Sequence, residues 1–219
     1  MTTPGKSNIS LITWLLILLA VTVGAVIHFG NVKNLSVQSK NVKISGLYLP
    51  AALDIANFQL TDNSGKPFSN ANLKGHWTMM FFGFTNCGMV CPTTMAALNS
   101  MYQTLQQQLP ERLVPNVVMV SVDPERDSVE RMNAYVTTFN QKFIGARAEL
   151  PQITALEKEL HLVAIKMQAG DNQNQYTINH SAEIMVFNPD GKLQAFMSYP
   201  HVAEQMITDY KNILTSQVA

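Results

Sequence analysis

Charge is scarce in this chain. Asp, Glu, Lys and Arg make up 14% of its 219 residues, acids and bases balance at 15 each, and the formal net charge is zero. No basic run appears, so the electrostatic footprint of nucleic-acid binding is missing and no nucleic-acid partner is expected. Cysteine is scarcer still, at two residues. That excludes a disulfide-dense scaffold and leaves one pair to account for. No internal repeat is visible, which argues against solenoids and propellers. No Arg-rich, acid-poor presequence is recognisable either, so a mitochondrial address is not expected.

What the chain does have near its N-terminus is a long apolar run. Ile9 to Ile27 reads ISLITWLLILLAVTVGAVI, without a charge. As a helix it would be about 28 Å long, close to the hydrocarbon thickness of a bilayer. A cleavable signal peptide usually has an apolar core of only about 7–15 residues, although Val23-Gly24-Ala25 resembles a weak cleavage site. The expectation is an uncleaved transmembrane anchor over 9–28, after a short cytoplasmic tail over 1–8. Lys33, Lys40 and Lys43 follow the run and only Lys6 precedes it, so positive-inside counting opposes an external domain. Long domains obey that rule poorly, and the cysteine chemistry below favours the outside. The expected place is a bacterial inner membrane, with the domain in the periplasm.

Residues 29–50 are polar and aperiodic, as in a stalk. The remainder, 51–219, is long enough for one ordinary core. Phe58–Thr61 and Pro67–Ser69 flank a turn-like cluster and predict a hairpin. Thr78–Phe84 is a short continuous apolar run, which suits a strand buried on both faces. Pro92 to about Gln108 predicts a helix, with Met95, Leu98, Met101, Tyr102 and Leu105 at helical spacing. Val117–Val122 reads as a second buried strand. Asp127-Ser128-Val129-Glu130 resembles a capping box and starts a helix to about Phe139. A helix over Pro151–Leu160 and a strand over Leu162–Met167 follow. Ala182–Phe187 and Lys192–Met197 flank Asn188-Pro189-Asp190-Gly191 as a hairpin, and a last helix covers about Ala203–Leu214. Parallel strands joined by helices, closed by a hairpin, predict a three-layer α/β domain.

Both cysteines, Cys87 and Cys91, sit where the buried strand gives way to a helix. Sites in α/β sheets gather at the carboxyl ends of central strands. A helix N-terminus favours thiolate over thiol, which serves metal binding and disulfide exchange alike. Two thiolates under-coordinate most metals, so a metal site here needs a third ligand. A disulfide across this spacing would close a tiny loop and stabilise little.

The blocks FFGFTNCGMVCPTT, VMVSVDPERDSVERMNAYV and INHSAEIMVFNPDGKL resemble, in this order, the Sco/SenC family of copper chaperones. The resemblance runs from about Asn57 to the C-terminus. It implies a thioredoxin-like fold, and delivery of copper to the dinuclear centre of cytochrome c oxidase. Partners then include the copper-bearing oxidase subunit and an upstream copper donor. It also implies three metal ligands: Cys87, Cys91 and His180. Thiolates favour Cu(I) and an added imidazole suits Cu(II), so one such site per chain holds either state. Two departures stand out. Gly88 and Met89 replace a common Pro and acidic residue, and Asn179 replaces a common Asp, so negative charge near the metal is lost.

The rival reading is a thiol–disulfide oxidoreductase with Cys87 and Cys91 as its redox pair, which keeps the oxidase's copper-site cysteines reduced. Three intervening residues, and no proline at Ile178-Asn179-His180, speak against a general dithiol enzyme. A thiol peroxidase gives the histidine no evident purpose. Met89 is a candidate weak ligand among 12 methionines. His28, His76, His161 and His201 are read as surface or packing residues, and Asp123 and Asp127 as turn and cap residues. The Gln- and Asn-rich stretch 168–179 reads either as a solvated loop or as a mobile arm carrying His180.

Overall fold

A computed structural model describes residue 14 and residues 17–22, 42–168 and 175–217. The chain divides into a unit Met1–Ser39 and a larger unit Lys40–Ala219. In the first, residues 17–22 are helical. The expected tail, most of the expected anchor and most of the stalk lie outside the described residues. Among the described residues no helix is long and apolar enough to cross a membrane.

The larger unit is a mixed α/β domain. Its strands are β1 (Gly46–Leu53), β2 (Gln59–Asp62), β3 (Pro67–Ser69), β4 (Thr78–Gly83), β5 (Asn116–Ser121), β6 (Ile144–Arg147), β7 (Ala164–Gln168), β8 (Tyr176–His180), β9 (Ile184–Phe187) and β10 (Leu193–Met197). Its helices are α1 (Asn70–Leu73), α2 (Val90–Gln108), α3 (Val129–Phe139), α4 (Leu150–Glu159) and α5 (Ala203–Ser216). Eight strands form one sheet in the order β1-β10-β9-β4-β5-β6-β2-β3, and β7 with β8 forms a separate hairpin. Strand β5 is parallel to both β4 and β6. Strand β9 is antiparallel to β4.

The central strands explain the apolar run. Every residue of β4 and of β9 is buried. Successive side chains point to opposite faces, so burial at every position means that both faces are covered. Helix α2 buries Met95, Leu98, Met101, Tyr102 and Leu105, the residues whose spacing predicted it. Trp77 meets Tyr210 edge-on at 5.9 Å, which ties α5 to the start of β4.

Three of the departures from expectation concern the sheet edge and the site. Gly46–Pro50, placed in the stalk, belong to β1, an edge strand paired with β10. Its side chains are exposed or half-buried, so the alternation that reveals a strand is faint. Helix α2 begins at Val90, which puts Cys91 as well as Pro92 in its first turn. Proline fits there because first-turn amides have no intrahelical acceptor. Tyr176–Asn179, read as loop or arm, form strand β8 with Tyr176 and Ile178 turned inward. Residues 169–174 of that stretch lie outside the described residues.

Candidate metal centre

Strand β4 ends at Gly83, and the chain turns through residues 84–86 to reach Cys87. A side chain at Gly83 would place its Cβ 2.9 Å from the Phe81 ring and 3.0 Å from Cys91 Sγ. Glycine is therefore what lets the thiol sit against the strand end. Cys91 is fully buried and Cys87 half-buried. Strand β8 delivers His180, whose Nε2 lies 3.6 Å from Cys91 Sγ. The Cys87, Cys91 and His180 donor atoms all lie within 4.8 Å of one another, and no other such group of His, Cys, Asp or Glu occurs among the described residues.

The tautomer of His180 follows from its other nitrogen. Nδ1 lies 2.8 Å from the Ser181 carbonyl, which can only accept, so Nδ1 carries the proton. In the neutral ring Nε2 then offers a lone pair toward the sulfurs, the arrangement that metal ligation requires. Phe84 packs edge-on to the ring at 5.8 Å and limits its rotation. A trigonal metal at about 2.3 Å from sulfur and 2.0 Å from nitrogen would hold those atoms about 3.7 Å apart. The observed 3.6 Å fits.

The two thiols are not equivalent. Cys87 is held well below the usual thiol range, first by the hydrogen bond that the Cys91 thiol donates to it. Burial opposes this, while His180, when its ring carries both protons, and the amides of Cys91 and Met89 reinforce it. The Cys91 amide lies 3.4 Å from Cys87 Sγ, at the positive end of α2. Cys91 is pushed up, by donating to Cys87 and by burial. Without metal the pair holds one thiolate and one thiol. Metal capture on both sulfurs must displace the remaining proton.

Sequence reasoning missed the groups that support this site. Asp127 was expected to cap α3, but Ser128 is the cap. Asp127 is instead fully buried and accepts hydrogen bonds from the Thr85 amide, the Thr85 hydroxyl and the Ser121 hydroxyl. Arg131 adds contacts to Thr85 and Asn86. Asp123 pairs with Arg126 and accepts the Tyr176 hydroxyl at 2.7 Å. The Arg126 guanidinium stacks 3.6 Å from the Tyr176 ring centre and donates to the Tyr176 carbonyl. These contacts clasp the His180-bearing hairpin to the turn after β5. One signal was available: β4 and β5 are parallel neighbours, so their carboxyl ends, and the segments after them, lie side by side.

The other described histidines stand apart; His201 Nε2 donates to the Ala182 carbonyl at 2.7 Å. His28 lies outside the described residues. Met89 is 71% exposed beside the pair.

A family model described as SCO1/SenC matches residues 49–215. The chain belongs to the SCO1/SenC family. A human relative, "Protein SCO2 homolog, mitochondrial", is 33% identical over 160 residues, covering 71% of this chain and 58% of that protein. The SCO1/SenC domain here thus spans less than two thirds of that relative's length. Arabidopsis thaliana ScoI, solved with copper bound, superposes with a TM-score of 0.68 at 26% identity, over 74% of this chain and 98% of its own. Bradyrhizobium japonicum ScoI, also with copper bound, gives 0.64 at 29% identity, over 73% and 98%. The thioredoxin-like α/β fold expected from the resemblance is the fold of this SCO1/SenC domain.

Proposed function

We propose that this chain is a membrane-anchored copper metallochaperone that holds one copper ion on Cys87, Cys91 and His180. It passes that ion to the dinuclear copper centre of cytochrome c oxidase. The observation that carries the reading is the convergence of two sulfurs and an imidazole nitrogen within 4.8 Å. Thiolates suit Cu(I) and the imidazole extends the site to Cu(II). Two solved relatives hold copper, which supports the same cargo here. The ligands come from a loop, a helix end and a hairpin, so incoming thiolates of a recipient can replace them one at a time. The uncharged run over 9–27 supports an anchor, with the domain in the periplasm and residues up to about 45 as its tether.

Copper titration tests this reading. The reduced full chain should retain one copper per chain after gel filtration. The chain pre-oxidised to the Cys87–Cys91 disulfide should retain almost none, because only one imidazole is left. Equal retention by the oxidised chain would sink the ligand assignment.

The unequal thiols favour a second reading, a thiol–disulfide reductase acting on the oxidase's copper-site cysteines. The Cys87 thiolate would attack one sulfur of the target disulfide and expel the other as a thiolate. Cys91 would pass its proton to that leaving sulfur and attack Cys87 Sγ. The target's second sulfur is then released, and the Cys87–Cys91 disulfide remains.

A further inference from the structure

Beside the metal centre, between α4, the β7–β8 hairpin and the turn after β5, lies a cavity of about 200 Å³ that opens to solvent. Tyr176 and Ile178 on its wall share a face of β8 with His180, since alternate residues of a strand point the same way. Its other feature is Glu157. This residue is 8% exposed, and its Oε1 is buried without a hydrogen-bond partner among the described residues. A buried carboxyl oxygen without a partner is costly and normally answered by a donor.

We propose that this cavity is the seat for one basic side chain, Lys or Arg, of a docking protein partner. The charge is right. Asp123, Glu125 and Glu157 line the cavity with Lys166 as its only cation among the described residues, and Lys166 is already paired with Glu125 at 2.7 Å. Asp123 is engaged by Arg126 and Tyr176, so Glu157 is the carboxyl left to receive a donor. The size is right as well. The volume falls below the roughly 300–1,000 Å³ of small-molecule pockets, and suits a side-chain head rather than a metabolite. Val122, Leu150, Ala164 and Ile178 supply the apolar wall along which an aliphatic stem packs. A metal ion is a poor occupant, because these carboxylates do not converge as a ligand group. The seat is independent of which cargo the neighbouring sulfurs carry.

The test uses the full isotope-labelled chain and three probes: the N-acetyl methylamides of arginine, of lysine and of citrulline. Both cationic probes should shift the Thr154, Glu157 and Ile178 amide signals saturably, in the millimolar range that one buried ion pair supports. The neutral citrulline probe should bind about tenfold more weakly. Glu157→Gln keeps the shape and removes the charge, and should weaken the cationic probes about tenfold. Thr154→Lys, one turn away on α4, should fill the seat from within and abolish their binding. Normal circular dichroism of both variants confirms the fold. Equal binding of citrulline, unchanged binding by Glu157→Gln, or full binding by Thr154→Lys would overturn the proposal. So would the absence of any saturable shift, which would mean a water site only.

Discussion

The Asp127 carboxylate accepts both the amide and the hydroxyl hydrogen of Thr85, at 3.1 and 2.5 Å, two residues ahead of Cys87. The same carboxylate takes the Ser121 hydroxyl at 2.6 Å. Three buried or half-buried donors thus share one acceptor, and the geometry of the cysteine turn is set from the neighbouring strand. Removing the acceptor strands all three donors at once, which costs more than the bonds themselves were worth.

Asp127→Ala should therefore lower unfolding free energy by about 2–4 kcal/mol. It should also speed copper loss, because the turn no longer fixes Cys87 relative to Cys91. Asp127→Asn keeps one acceptor oxygen and should fall between the two. Denaturant titration and copper transfer to a competing chelator measure the two effects. If Asp127→Ala released copper at the native rate, the carboxylate would be a packing group without influence on the site.

How much of this was legible in sequence depended on where burial left a pattern. Strand β4 is buried at every residue, so its apolar run showed it, and α2 showed itself by spacing. Strand β1 carries no buried residue and left little pattern. Strand β6 is four residues long, with Gly145 and Ala146 at its centre, and has no β-branched run to announce it. Strand β8 did alternate, as Tyr176-Thr177-Ile178, but the Gln and Asn before it masked the signal. The cysteine pair was legible from its place at a strand end, whereas His180 came only through family resemblance. The Arg126–Tyr176 clasp joins residues 50 positions apart, and nothing local to either one encodes it.

Glu157 gives the domain a pH dependence of definite sign. Burial raises its carboxyl to about 7 from an ordinary 4.5, and the nearby His180 opposes that rise. Between those values the folded chain binds more protons than the unfolded one, so this group costs stability as pH rises from about 4.5 to 7. The full shift corresponds to about 3 kcal/mol, which water entering the cavity reduces to roughly 1–2. Glu157→Gln should thus match the native chain near pH 4 and be more stable by that amount at pH 8. Urea unfolding at the two pH values measures it. A constant difference across pH would show that Glu157 is ionised in the fold as it is in the unfolded chain.

His180→Ala separates copper delivery from thiol reduction. Cys87 or Cys91 to Ser should abolish both, so neither can decide. The imidazole is one of three metal donors. Its loss should cost Cu(II) affinity at least the roughly 10–100-fold seen when even an outer partner of a ligand is removed. Cu(I) should suffer less, since two thiolates suffice for it at low coordination. The thiolate of Cys87 is held first by the Cys91 thiol and only secondarily by His180, so it survives the substitution. Even a one-unit rise in its pKa would alter thiolate nucleophilicity by only about threefold. The variant should reduce a model disulfide at nearly the native rate, yet fail to load the oxidase with copper in a complemented deletion strain. Normal oxidase loading would transfer the function to the reductase reading. Loss of both activities in a folded variant would show that the ring sets the charge of Cys87 more strongly than its neighbour does.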